Sequence, residues 1–63
     1  MCLSTVYRNV KANENVVLKN VVSIECKDGC VILTDLMDHT VAVEGHLVSA
    51  NLVDGYVIVA ENQ

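Results

Sequence analysis

Two Asp-Gly pairs, Asp28-Gly29 and Asp54-Gly55, separate runs of apolar residues and constrain the fold more than any other feature of this sequence. Asp-Gly is a strong signal for a tight β-hairpin, because glycine adopts positive φ at little cost and aspartate tolerates it. Before the first pair, residues 22–27 alternate between apolar and polar, as in a half-buried strand. The chain is therefore predicted to contain at least two antiparallel hairpins.

The first hairpin also predicts which side chains face the core. With Asp28-Gly29 as a two-residue loop, Lys27 lies opposite Cys30 and Cys26 lies opposite Val31. This register puts Cys26 in the core and Cys30 on the outer face. We therefore expect Cys26 to act as a small apolar core residue.

A two-residue loop at Asp54-Gly55 likewise predicts that Leu52 lies opposite Val57 and that Ala50 lies opposite Val59, all on the core face. Apolar side chains left on the outer surface are numerous for so small a chain, and a partner subunit is expected to cover them. These outward residues are Ile32, Tyr56 and Ile58.

The composition favours strands throughout. The sequence is 52% hydrophobic, with no proline, and its apolar residues are mainly β-branched valines. Strand segments are predicted at residues 2–10, 16–18 with 21–27, 30–36, 40–43, 47–52 and 56–60, and Gly45 is expected to end the 40–43 strand. We predict a single all-β domain over residues 1–63, a small SH3-like barrel of five to six short antiparallel strands. A five-stranded OB-like barrel is the alternative, although no helix is evident.

The charge and the cysteine content limit the possible partners and compartment. The net charge is −4, and the only cations are Arg8, Lys11, Lys19 and Lys27, which argues against nucleic acid as a partner. Three cysteines, no signal peptide and no long apolar span predict a cytoplasmic protein with reduced thiols and no membrane association. A domain of 63 residues is marginal alone, so a homodimer or a bound metal is expected to stabilise it.

Cys2 is the candidate metal ligand. If Met1 is removed, the amine and the thiol of Cys2 can form a five-membered chelate ring; if Met1 is retained, the Cys2 amide nitrogen can take part after losing its proton. Two chain ends at a twofold axis would supply two nitrogens and two sulfurs, a planar set that suits Ni(II) or Cu(II). The alternative is that Cys2 only packs in an edge strand.

Other candidate ligands carry weaker signals. Cys26 and Cys30 have the spacing of a metal loop, but the predicted register sets their side chains on opposite faces. His39 and His46 each flank a predicted turn and are most simply solvated side chains; Asp35 and Asp38 make the His39 turn the best place for a second, weaker site. No catalytic constellation is present in the sequence, so an enzyme is not expected.

A Met-Cys start on a short all-strand chain resembles the CooT family of small nickel-binding proteins, which are associated with maturation of nickel-containing carbon monoxide dehydrogenase. The resemblance extends over nearly the whole chain, through Leu36, Asp38, Gly45, Leu52, Gly55, Val57 and Ile58. It implies an SH3-like barrel that dimerises and binds Ni(II) at the dimer interface through Cys2, and it implies delivery or buffering of nickel for an enzyme such as carbon monoxide dehydrogenase or its maturation factors. Two alternatives remain: a small RNA-binding barrel, as members of the family have been labelled, and a metal-free protein-interaction module.

Overall fold

The computed structural model of the protein describes residues 3–62 as a closed five-stranded β-barrel. The strands are β1 Ser4–Arg8, β2 Val16–Lys27, β3 Cys30–Asp35, β4 Thr40–Asn51 and β5 Tyr56–Glu61. A short 3-10 turn at Asn13–Asn15 lies between β1 and β2. Consecutive strands pair antiparallel. β1 and β5 close the ring in parallel, because the first and last strands of a five-stranded meander point the same way. The predicted small all-β barrel is confirmed. No helix within residues 3–62 is long and apolar enough to cross a membrane.

The barrel interior is filled mainly by valine. The side chains that are almost completely buried belong to all five strands, and half-buried Val17, Leu18, Ile24 and Val41 pack around them. These core residues are Val6, Val21, Val31, Leu33, Val43, Val57 and Val59. The β-branched composition that predicted strands therefore also fills the core.

Two long strands replace shorter predicted segments. β2 runs without a break through Lys19 and Asn20. Near this point β2 changes partner from β1 to β3, and the change is accompanied by a positive φ of 57° at Asn20 and a register shift at Val22. The shift turns Val21 inward and leaves Val22 45% exposed, so the alternation of residues 22–27 does not put Val22 on the core side.

The sequence predicted that Gly45 ends a strand, and this prediction is wrong. β4 continues through it, pairing with β3 over residues 40–44 and with β5 over residues 45–51. A Cβ atom at Gly45 would fall on the carbonyl oxygen of Ala60, so only glycine allows β4 and β5 to approach this closely. Gly45 therefore forms a corner of the barrel.

The two hairpins differ in how well the sequence predicted them. The register around Asp28-Gly29 is confirmed, with Lys27 opposite Cys30 and Cys26 opposite Val31. The second turn spans residues 52–55 and not two residues. Ala50 therefore lies opposite Val57, and Leu52 lies in the turn, 66% exposed. The outward residues expected to need a partner, Ile32, Tyr56 and Ile58, are half-buried.

Candidate metal centre

The start of the chain runs beside the turn between β4 and β5. The backbone amide of Thr5 donates a hydrogen bond of 2.9 Å to the carbonyl oxygen of Gly55. The carbonyl oxygen of Leu3 lies 3.4 Å from the position that a Cβ atom on Gly55 would occupy. Cys2 itself falls outside the described residues, and one peptide bond joins it to Leu3. The described part of the chain therefore begins, at Leu3, beside this turn.

The turn at residues 52–55 is held by its own hydrogen bonds. The side-chain oxygen of Asn51 accepts from the backbone amides of Val53 (3.1 Å) and Asp54 (2.9 Å), and its Nδ2 donates to the carboxylate of Asp54 (3.2 Å). Gly55 completes the turn with a φ of 79°, and its amide donates to the Asn51 carbonyl oxygen at 2.8 Å. Four hydrogen bonds thus join four residues of this short segment, which gives the turn a defined conformation beside Leu3.

Val53 is the most exposed large hydrophobic residue in the described part of the chain, at 95%, and its neighbour Leu52 is 66% exposed. Sequence reasoning missed this surface, because it placed Leu52 in the core. A signal was nevertheless present in the sequence, because no charged residue occurs between Glu44 and Asp54. In the structure, the large apolar side chains of this stretch are exposed and do not belong to the core.

Cys26 and Cys30 are separated by the hairpin, as predicted, but Cys26 is exposed and not a core residue. Its partner Val31 is completely buried because Val43 of β4 lies on its other side. Cys26 has no such cover, because β2 pairs with β1 only as far as Val21. The core prediction for Cys26 was therefore wrong although the register was right.

His39 and Asp35 form a pair in the turn between β3 and β4. Nδ1 of His39 lies 3.0 Å from one carboxylate oxygen of Asp35, while the other oxygen accepts from the backbone amides of Met37 (2.9 Å) and His39 (2.8 Å). Desolvation acts to raise the pKa of Asp35, but these hydrogen bonds and the nearby imidazole outweigh it and lower the pKa below 3.8. Both oxygens of the Asp35 carboxylate are thus engaged in contacts that stabilise the turn.

The second-site prediction therefore gains no support from this turn, and the other histidine does not lie near it. His46 is an exposed residue inside β4, opposite Ala60 of β5, and does not flank a turn as expected. Within residues 3–62, no three side chains of the His, Cys, Asp and Glu types come together as a metal-binding group.

The cations and aromatic rings near β1 pair with one another. Nε of Arg8 lies 3.2 Å from the carboxylate of Glu61, and Nζ of Lys11 lies 4.5 Å from the centre of the Tyr56 ring. Tyr7 packs edge-on against Tyr56, with the ring centres 6.5 Å apart. Half of the cations in the sequence are therefore engaged on one surface, which adds to the argument from net charge against a polyanionic partner.

Comparison with known proteins identifies the family. A comparison with individually curated proteins finds no significant match. The sequence model for the family described as CO dehydrogenase accessory protein CooT matches residues 1–60, which include the candidate ligand Cys2 and all but the end of β5. This match covers nearly the whole barrel and agrees with the predicted resemblance. The chain therefore belongs to the CooT family of CO dehydrogenase accessory proteins.

Proposed function

We propose that this accessory protein binds Ni(II) at a homodimer interface through Cys2 and delivers or buffers it for carbon monoxide dehydrogenase. The observation that carries the proposal is that the family match begins at residue 1 and includes Cys2. CO dehydrogenase is a nickel enzyme, so supplying nickel is a role that fits an accessory protein of this enzyme.

The chemistry of the chain start suits this cargo. A cysteine near the amino terminus combines a thiolate with main-chain nitrogen, and two such pairs across a twofold axis supply four donors in a plane. Ni(II) accepts that geometry, whereas Zn(II) prefers a tetrahedron. The thiol must lose its proton to bind, so nickel uptake should release protons and weaken in acid.

The other thiols and imidazoles are poorly arranged for the same task. Cys26 and Cys30 are on opposite faces of the first hairpin, and the ring of His39 is directed to Asp35. This arrangement supports the proposal that Cys2, together with a symmetric copy, is the nickel ligand.

The test compares nickel affinity in two variants by isothermal titration under reducing conditions. Cys2→Ser should bind nickel at least about 100-fold more weakly than the wild type, because the thiolate is lost. The matched control is the double variant Cys26→Ser/Cys30→Ser, which removes the other two cysteines and should bind as tightly as the wild type. Tight nickel binding by Cys2→Ser would refute the proposal, and so would loss of binding in the control alone.

A further inference from the structure

We infer that residues 22–27 of β2, called here the free edge, bind an extended segment of CO dehydrogenase as an added strand. The first hairpin projects beyond the start of β1, because β1 pairs with β2 only as far as Ser4 opposite Val21. Past that point β2 pairs with β3 on one side and with no strand of residues 3–62 on the other. The inference rests on the proposed function for the identity of the partner, and it assigns the enzyme contact to a surface that the proposed function leaves open.

The hairpin geometry determines which backbone groups the free edge presents. The two-residue loop at Asp28-Gly29, with φ values of 54° and 77°, makes Lys27 and Cys30 a hydrogen-bonded pair. Hydrogen-bonded and non-hydrogen-bonded pairs alternate along an antiparallel ladder, so Ile24 and Cys26 lie in non-hydrogen-bonded pairs with β3. Their amide and carbonyl groups therefore point away from β3, towards the free edge. These groups are the donors and acceptors that an added strand requires.

The side chains of the free edge fit a strand with one apolar face and one charged face. Ile24 packs against the core and Cys26 lies opposite completely buried Val31, so both side chains are on the core side of the sheet. The alternate residues Glu25 and Lys27 are exposed on the outer side. An added strand would place apolar or small side chains beside Ile24 and Cys26 and oppositely charged side chains on the outer side. Both kinds of cross-strand contact stabilise strand pairing.

A second copy of this chain is a poor occupant of the free edge. In the proposed function the twofold axis of the homodimer lies between two Cys2 residues, and that contact closes the dimer. A separate self-pairing edge on every chain would join dimers into an open-ended array, which is the hazard that exposed strand edges carry. A segment of a different protein covers the edge without this consequence. The protein that this family of accessory proteins serves is CO dehydrogenase, so its polypeptide is the occupant.

Amide hydrogen exchange of the metal-free protein, with and without an excess of purified CO dehydrogenase, tests the free edge residue by residue. In the free protein the amides of Ile24 and Cys26 should exchange fast, whereas those of Glu25 and Lys27 are bonded to β3 and should exchange slowly. The enzyme should slow exchange at Ile24 and Cys26 by at least about 10-fold. Unchanged exchange at these two amides would overturn the inference. Slowing that appears without enzyme as the protein concentration rises would also overturn it, because a second copy would then occupy the edge.

A proline variant tests the same backbone contact through affinity. Cys26→Pro removes one N–H group that points to the free edge and leaves the ladder with β3 intact, since proline is tolerated where the N–H of an edge strand faces solvent. The matched control is Cys26→Ala, which removes the same thiol and keeps the N–H. We expect Cys26→Ala to bind purified CO dehydrogenase like the wild type, and Cys26→Pro to bind at least about 10-fold more weakly.

Circular dichroism and a nickel titration should show that Cys26→Pro keeps the fold and the wild-type affinity for nickel. A folded Cys26→Pro that binds the enzyme as tightly as Cys26→Ala would overturn the inference. The exchange measurement uses the wild type, so it decides the question even where proline unfolds the hairpin. Cys2→Ser separates the two proposals, since it should lose nickel and still bind the enzyme through the free edge.

Discussion

Replacing Gly45 with alanine should destabilise the barrel more than the same change at Gly29 or Gly55. The added Cβ would fall on the carbonyl oxygen of Ala60, 2.8 Å from the Ala60 carbonyl carbon and 3.1 Å from the Cα of Glu61. These atoms are backbone, and β5 is paired with β4 at Ala60 and Glu61 and with β1 as far as Val59. No side chain can move aside, so the ladder at the corner of the barrel must shift.

The expected size follows from these contacts. Overpacking against a structure that cannot relax costs about 3 kcal/mol, whereas a domain of 63 residues has a total stability of roughly 3–9 kcal/mol. At about 4–8 °C per kcal/mol, Gly45→Ala should lower the Tm by roughly 12–24 °C. Thermal unfolding followed by circular dichroism measures this change directly.

Gly29→Ala is the matched control for backbone strain without a clash. Gly29 has a φ of 77°, and a Cβ there would meet nothing within 4 Å, so the substitution should cost only about 1–2 kcal/mol. If Gly45→Ala lowers the Tm no more than Gly29→Ala does, the close approach of β4 and β5 at this corner is not what requires glycine.

Two further predictions concern the turn between β3 and β4 and the core. Because the pKa of Asp35 is lowered in the folded protein, its ionised form stabilises the fold above the ordinary pKa of 3.8, and that contribution is lost as the pH falls below it. Asp35→Asn should therefore lower the Tm at neutral pH, with the difference from wild type shrinking in acid, whereas an equal difference at every pH would argue that the charge is not responsible. Leu33→Ala, at a completely buried position, should cost about 2–5 kcal/mol in urea unfolding, while Met37→Ala, at a position that is 74% exposed, should change stability by less than about 0.5 kcal/mol; similar values for both would contradict the assigned core.

The local turn chemistry decided which parts of the fold could be predicted. Asp28-Gly29 specifies its own two-residue loop, and the register that follows from it is correct. Asp54-Gly55 carries the same signal, but the side chain of Asn51 binds two amides of the turn and favours a four-residue connection. An Asn three residues before the Asp-Gly pair is a signal that could have been weighed.

The barrel corners could not be predicted from local patterns. A glycine such as Gly45 usually indicates the end of a strand. Its role here depends on the short distance to Ala60, a residue of another strand. Asn20 breaks the apolar pattern of β2, but the strand continues because it exchanges one partner for another there. Cys26 alternates like a core residue and is exposed only because no strand lies beyond it. The structural roles of these three residues depend on pairing between strands that are distant in sequence, and local sequence patterns do not reveal that pairing.

The central claim, that Cys2 and its symmetric copy bind nickel together, is tested most directly by native mass spectrometry of the reduced wild-type protein during a nickel titration. We expect one nickel ion per two chains, with a thiolate-to-metal charge-transfer band that grows in parallel and saturates at the same ratio. A dimer that takes up no nickel, or monomers that each bind one ion, would contradict it.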